Sequence, residues 1–299
     1  MVDRRGFLCG VAAYVMWGFF PLYFPLLKPA GPVEILVERI MWSLVAVLVM
    51  LAVIRKWSWV RRLDRRTLGL LALAGAVITV NWGTFIYAVN AGRTLEASLG
   101  YFINPLLSVM FGVVLFQERL RRWQWAAIGL GASAVLVLTI DYGRPPWIAL
   151  ILAFSFGTYG LIKKYVKMPS AESLSVETAA LFPFALAVAL FLEGSGRATF
   201  GHHGPGQAVL IAGTGLITAL PLMLFNAAAI RVPMSTLGML QYLAPVLQFL
   251  IGLLIQHEAM PASRWVGFLL VWGALVIFAV DGIRASRPAA ARRQVEVAV

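Results

Sequence analysis

Ten stretches of this chain are apolar for long enough to cross a lipid bilayer, and no other feature restricts its fold as strongly. Hydrocarbon offers no partner to backbone N–H and C=O groups, so a spanning segment must satisfy its own. Runs without strand-like alternation do this as helices. The spans are read at 6–27, 33–54, 67–91, 95–116, 123–140, 146–166, 175–192, 207–230, 233–256 and 262–283. Hydrophobic residues fill 61% of 299 positions and charged ones 13%. Soluble domains sit nearer roughly 45–50% and about 25%. One cysteine, Cys9, excludes an internal disulfide framework. The first run is too long for a signal-peptide core and lacks a small-residue cleavage site, so it is read as a retained helix.

Charge sets the orientation. The formal net charge is +12, and the basic residues gather on alternate connections. One set of connections holds nineteen, including Arg4 and Arg5, six between 55 and 66, three between 119 and 122, Lys163, Lys164, Lys167 and Arg231; the opposite set holds five, Lys28, Arg93, Arg144, Arg197 and Arg264. The positive-inside rule then places both termini in the cytoplasm. It also assigns the positive charge to the face of anionic lipid rather than to nucleic acid.

The chain resembles itself at a shift of 140. Pro105, Gly112, Glu118, Trp125, Ala134 and Asp141 match Pro245, Gly252, Glu258, Trp265, Ala274 and Asp281, within eight identities over 37 positions. Scarce residues at fixed spacing carry more weight here than the percentage. An odd number of spans per half inverts the second half relative to the first. The expected fold class is thus all-α, a polytopic membrane protein with ten transmembrane helices in two inverted five-helix repeats. The first repeat is 5–141 (helices 1–5) and the second 145–283 (helices 6–10), followed by a basic cytoplasmic tail, 284–299.

Within the spans a few residues are costly in lipid. Glu38 and Arg39 sit roughly 8 Å along span 2 and are read as a gate or coupling pair, or as a structural ion pair. Asn81 and Asn104 lie near mid-span, where an amide binds solute or joins helices. Gln241 is a third amide. Trp17, Tyr101, Tyr159 and Tyr242 are read as cavity wall, against ordinary packing. Pro21, Pro105, Pro221 and Pro245 are candidate hinges, because proline removes a backbone hydrogen bond. Lys163 and Glu177 fit interfacial anchors, while Glu118 and Glu258 fit caps for the helices that follow them.

Several motifs are read together: Trp17-Gly18, Pro21-Leu22-Tyr23-Phe24, Glu38-Arg39 followed by Trp42-Ser43, Asn81-Trp82, and the run Leu95-Glu96 through Asn104-Pro105. Tyr159-Gly160, Glu177-Thr178 and Gln241-Tyr242 with Pro245 follow. The pattern, over roughly residues 5–283, resembles the RarD-type branch of the EamA family in the drug/metabolite transporter superfamily. That resemblance implies ten helices in two EamA repeats and a cytoplasmic-membrane permease whose relatives export small metabolites. Relatives usually carry Lys at Pro25 and His at Glu38, so a coupling scheme built on those groups does not transfer.

Other chemistry lacks its residues. No Gly-Lys dipeptide exists to build a Walker-type phosphate loop, and His257-Glu258 lacks the second histidine of a zinc helix. No cofactor or metal is expected. The function expected is secondary-active transport of a small organic metabolite or drug by alternating access, with export preferred. The alternatives are a membrane-embedded enzyme, such as a lipid-linked group transferase, and a non-transporting membrane partner. The partners expected are the solute and the lipid bilayer. Oligomeric state is open.

Overall fold

The computed structural model describes residues 3–297 apart from 56, 58, 61–62, 118–119, 167, 230, 233–235 and 237–238. Among the described residues every regular element is helical. Helix α1 (Arg4–Gly18) starts at Asp3, whose carboxylate accepts the Arg5 N–H at 2.9 Å. A short α2 (Phe20–Tyr23) and a 3₁₀ turn (Phe24–Leu27) follow. Helix α3 (Pro32–Ile54) begins on a proline, whose missing N–H is harmless in a first turn. Helix α4 (Arg65–Asn90) is capped by Asp64, which accepts the Thr67 N–H at 3.2 Å. Then come α5 (Thr94–Phe116), α6 (Arg122–Tyr142), α7 (Trp147–Val166), α8 (Ser170–Gly194) and α9 (Pro205–Ala229). The last elements are α10 (Leu243–Leu250), a π turn (Ile251–Ile255) and α11 (Ala262–Val297).

Six of these helices, α3, α4, α6, α8, α9 and α11, are long and apolar enough to cross a membrane, and a seventh span forms if α1 and residues 20–27 count as one. Residues 147–163 and 243–255 are apolar but shorter. The surface agrees with a lipid setting: Ile140, Val53 and Phe184 are 82%, 78% and 72% exposed, whereas Glu38, Arg39 and Glu177 are buried. The chain is a multi-pass membrane protein.

Packing runs mostly between the halves of the chain. The main pairs are α6 with α11, α4 with α7, α3 with α8, α1 with α9, α3 with α9 and α5 with α7. Exchanging the halves, so that α1, α3, α4, α5 and α6 trade places with α7 to α11 in order, maps this set onto pairs that also pack. The contact of α1 with α9 becomes that of α7 with α4. That of α3 with α9 becomes α8 with α4, and that of α5 with α7 becomes α10 with α1. Helices α6 and α11 are antiparallel and clasped at both ends. Arg121 bonds Asp281 through Nε at 2.8 Å and Nη2 at 2.6 Å, and Arg264 Nε reaches Asp141 at 2.8 Å with Ser263 beside it. The two aspartates are the repeat mates of the sequence.

Three expectations change. Span 1 is not one straight helix, since the chain bends by about 40° between Gly18 and Phe20. Pro21 accounts for this, lacking an N–H and crowding the Trp17 carbonyl four residues earlier, while Pro25 falls in the 3₁₀ turn that follows. Span 9 is also broken. Its helix restarts at Leu243 after a turn at Gln241 and Tyr242, so Pro245 sits in a first turn rather than mid-helix. The carbonyl that Pro245 would crowd belongs to Gln241, where the turn falls. Pro105 differs, lying inside a continuous α5. Span 7 begins early, at Ser170, because its polar start is buried against protein instead of facing headgroups.

Candidate functional site

Arg39 is buried within the bundle at 3% exposure. Its Nε donates to Thr218 Oγ1 of α9 at 2.9 Å. The guanidinium carbon lies 4.3 Å from the Trp82 ring centroid, 5.4 Å from Phe20 and 5.8 Å from Phe24. Four elements therefore surround one cation, and aromatic faces offset part of its desolvation, each by up to about 2 kcal/mol. Glu38 points elsewhere, accepting the Trp42 indole N–H at 2.9 Å. The two neighbours do not form an ion pair with each other. Adjacent residues on a helix face directions about 100° apart, which is why sequence proximity misleads here.

Asn81 is saturated by protein. Its Nδ2 donates to the Leu152 carbonyl at 3.1 Å and the Ser155 hydroxyl at 3.0 Å, while Oδ1 accepts the Tyr101 hydroxyl at 3.0 Å. The amide thus joins α4, α5 and α7, and it fixes the Tyr101 ring against Phe85 and Phe156. Asn104 is 9% exposed and faces Gly157 on α7. Tyr159 donates to Glu177 Oε2 at 3.1 Å, and Lys163 reaches Glu177 Oε1 at 2.9 Å, with Ser173 bonded to the same oxygen. Glu177 is 1% exposed, so this is a buried network between α7 and α8 and not an interfacial anchor. Its backbone carbonyl comes so near Gly75 that a side-chain carbon there would meet it at 2.9 Å.

The remaining aromatic positions spread along the bundle. Trp17 packs on Tyr14 and Phe225, and its carbonyl accepts Gln248 Nε2 at 3.2 Å. Gln241 and Tyr242 are half-buried at the turn before α10, with Tyr242 against the α5, α6 and α11 core. Pro21, Pro105, Pro221 and Pro245 are all buried. The structure thus groups Arg39 with Trp82, Thr218, Phe20 and Phe24, and joins this group through Phe85 to Tyr101 and Asn81 and through Phe156 to Tyr159, while Gln241 and Tyr242 lie apart at the turn before α10. Sequence reading missed Thr218, Trp82 and Gln248 as contributors. Thr214 and Thr218, four apart on an apolar helix, were the available signal, since they share one face. Gln248 Oε1 and Ser43 Oγ are buried without hydrogen-bond partners.

Buried carboxylates also stitch loops. Glu34 accepts the N–H groups of Thr199 and Phe200 at 2.6 and 2.9 Å. Glu96 takes Arg144 at 2.9 Å and the Ile148 N–H at 3.2 Å. Glu258 does cap a helix, but not the one that follows it. Its oxygens accept the N–H groups of Thr94 and Leu95, at the start of α5. The loop after the π turn folds back onto the first half, which brings Glu258 there. Burial raises the Glu258 carboxyl above the usual range, against the opposing pull of those N–H groups. Glu118 lies outside the described residues.

The EamA-like transporter family matches the chain twice, over residues 4–140 and 145–280. Protein RarD of Streptomyces exfoliatus is 58% identical over 97% of this chain and 93% of its own length. An uncharacterized transporter of Pseudomonas aeruginosa is 42% identical, over 95% and 96% respectively. A solved structure, described only as the crystal structure of a protein, covers 93% of this chain and 98% of its own at 18% identity and a TM-score of 0.62. It shares the fold.

Proposed function

This membrane transporter belongs to the EamA-like transporter family, in its RarD-type branch, and from that premise we propose a secondary-active permease working by alternating access. The solute is a small organic metabolite or drug, moved across the cytoplasmic membrane in the direction of export. The observation that carries the mechanism is the paired clasp of α6 and α11. Asp141 and Asp281, mates at a shift of 140, each bind an arginine at the start of the other helix, at opposite ends of an antiparallel pair. Ten spans in two inverted repeats, 5–141 and 145–283, with both termini cytoplasmic, give this relation directly. Two halves related in this way open to one side or the other around a site between them.

Within that scheme Arg39, Glu38 and Asn104 contact or gate the solute, with Trp17, Tyr101, Tyr159, Tyr242 and Gln241 as wall and rim. Asn81 acts by holding Tyr101. The breaks near Pro21 and Pro245, with the interior Pro105 and Pro221, supply the hinges. The test is counterflow. Purified protein in sealed vesicles loaded with a metabolite mixture should release at least one component faster than protein-free liposomes, and external addition of that component should accelerate its exit. Release no faster than from bare liposomes for every component contradicts the proposal. Normal flux after Asn104→Ala and Glu38→Gln contradicts the site.

A further inference from the structure

We propose that Arg39 anchors an oxyanion subsite, so that the transported solute is an organic monocarboxylate. The inference rests on the transporter reading above and deepens it. Arg39 carries five N–H donors in a planar fork. Among the described residues its one protein hydrogen bond is from Nε to Thr218, and no carboxylate lies within ion-pair distance. The other buried carboxylates are engaged. Glu34 holds residues 199–200, Glu38 holds Trp42, Glu96 holds Arg144, Glu177 holds Lys163, and Asp281 holds Arg121. The three aromatic rings meet the positive charge but cannot accept the directional bonds of the two Nη groups, and the Tyr101 hydroxyl, which also interacts with Arg39, carries no counter-charge and donates its own proton to Asn81. A carboxylate matches those two donors bidentately, and a buried guanidinium without a counter-charge is costly until it has one.

Charge and position narrow the class. Arg39 is the sole Lys or Arg in the buried class among the described residues, so the site neutralises a single negative charge. Glu38, the next residue, disfavours a dianion such as a phosphate monoester. Thr218 and Trp82 come from α9 and α4, which exchange when the halves are swapped, so the anchor lies between the halves where a carried solute must bind.

The test uses the full-length protein in detergent with matched probes, phenylacetate beside phenylacetamide and 4-methylpentanoate beside its amide. Binding is read by tryptophan fluorescence and equilibrium dialysis. Each acid should bind about tenfold or more tightly than its amide, as loss of a charged hydrogen bond implies. Arg39→Met should abolish that preference, and Arg39→Lys should retain part of it. A second readout needs no variant: phenylacetate, and not its amide, should protect Arg39 in the wild-type chain from phenylglyoxal, measured by mass spectrometry. Acids that bind no better than amides, absence of protection, or wild-type acid affinity in Arg39→Met each overturn the proposal. Vesicle flux without acid preference removes the anion site and leaves the transporter reading standing. Acid binding at Arg39 without flux of any probe does the reverse.

Discussion

The two clasps of α6 and α11 should be unequal and independent. Asp141→Asn removes the charge facing Arg264 at 2.8 Å, in a pair whose side chains are only 24% and 9% exposed. A hydrogen bond to a charged partner contributes about 1.5–3 kcal/mol, and little solvent screens this one, so a loss of about 2 kcal/mol is expected. Asp281→Asn removes the charge facing Arg121, which is 48% exposed. Screening and side-chain entropy bring that contribution down to about 0.5–1 kcal/mol. The clasps stand at either end of a 21-residue helix, about 30 Å apart at 1.5 Å per residue. Their effects should therefore add to within about 0.5 kcal/mol in the double variant. Reversible unfolding in mixed detergent, followed by tryptophan fluorescence, measures all three. A larger loss for Asp281→Asn than for Asp141→Asn, or a double variant no worse than Asp141→Asn alone, refutes the reasoning.

Other expectations follow from close contacts and buried charge. Gly215→Ala would drive a methyl into the Trp42 backbone where α3 meets α9 and should cost about 1–3 kcal/mol. Gly69→Ala, with nothing nearby, should be neutral or mildly stabilising in the same assay. Lys163→Met leaves the 1% exposed Glu177 carboxylate without its cation and should cost about 3–5 kcal/mol; adding Glu177→Gln should recover part of that. Glu258, whose carboxyl burial raises, holds its proton to higher pH when folded than when unfolded. Its contribution is therefore full below the unfolded value of about 4.3 and declines as pH rises above it. Comparing unfolding of wild type and Glu258→Gln from acid to neutral pH should show a falling difference, and a rising one would contradict the sign.

Much of the helical plan was legible because lipid leaves the backbone little choice. Long apolar runs become helices, and the described elements fall on all ten expected stretches. The breaks were less legible. Pro21, Pro25 and Pro245 were visible as residues, yet whether a proline kinks, ends or merely decorates a helix depends on what packs beside it. Pro105 sits in an unbroken α5, whereas Pro245 follows a turn. The aspartates showed themselves as repeat mates, but their arginine partners are 123 and 160 residues away and carry no local signal. Arg39 announced itself by depth alone. Its cage of Trp82, Phe20 and Phe24 comes from elements that only the fold brings together. Glu258 was read as a cap, correctly in chemistry, but its helix belongs to the other half of the chain.

Alternating access around a site between inverted halves is tested most directly by side-specific labelling. The one native cysteine, Cys9, is replaced by serine, and single cysteines are introduced at Thr218, Gln117 and Gly196. An impermeant methanethiosulfonate reagent is then applied to right-side-out and to inside-out vesicles. Position 196 should react only from the outside and position 117 only from the inside, while position 218, beside Arg39, should react from both. Labelling of 218 from one side only, or of 117 and 196 from the same side, would contradict the mechanism.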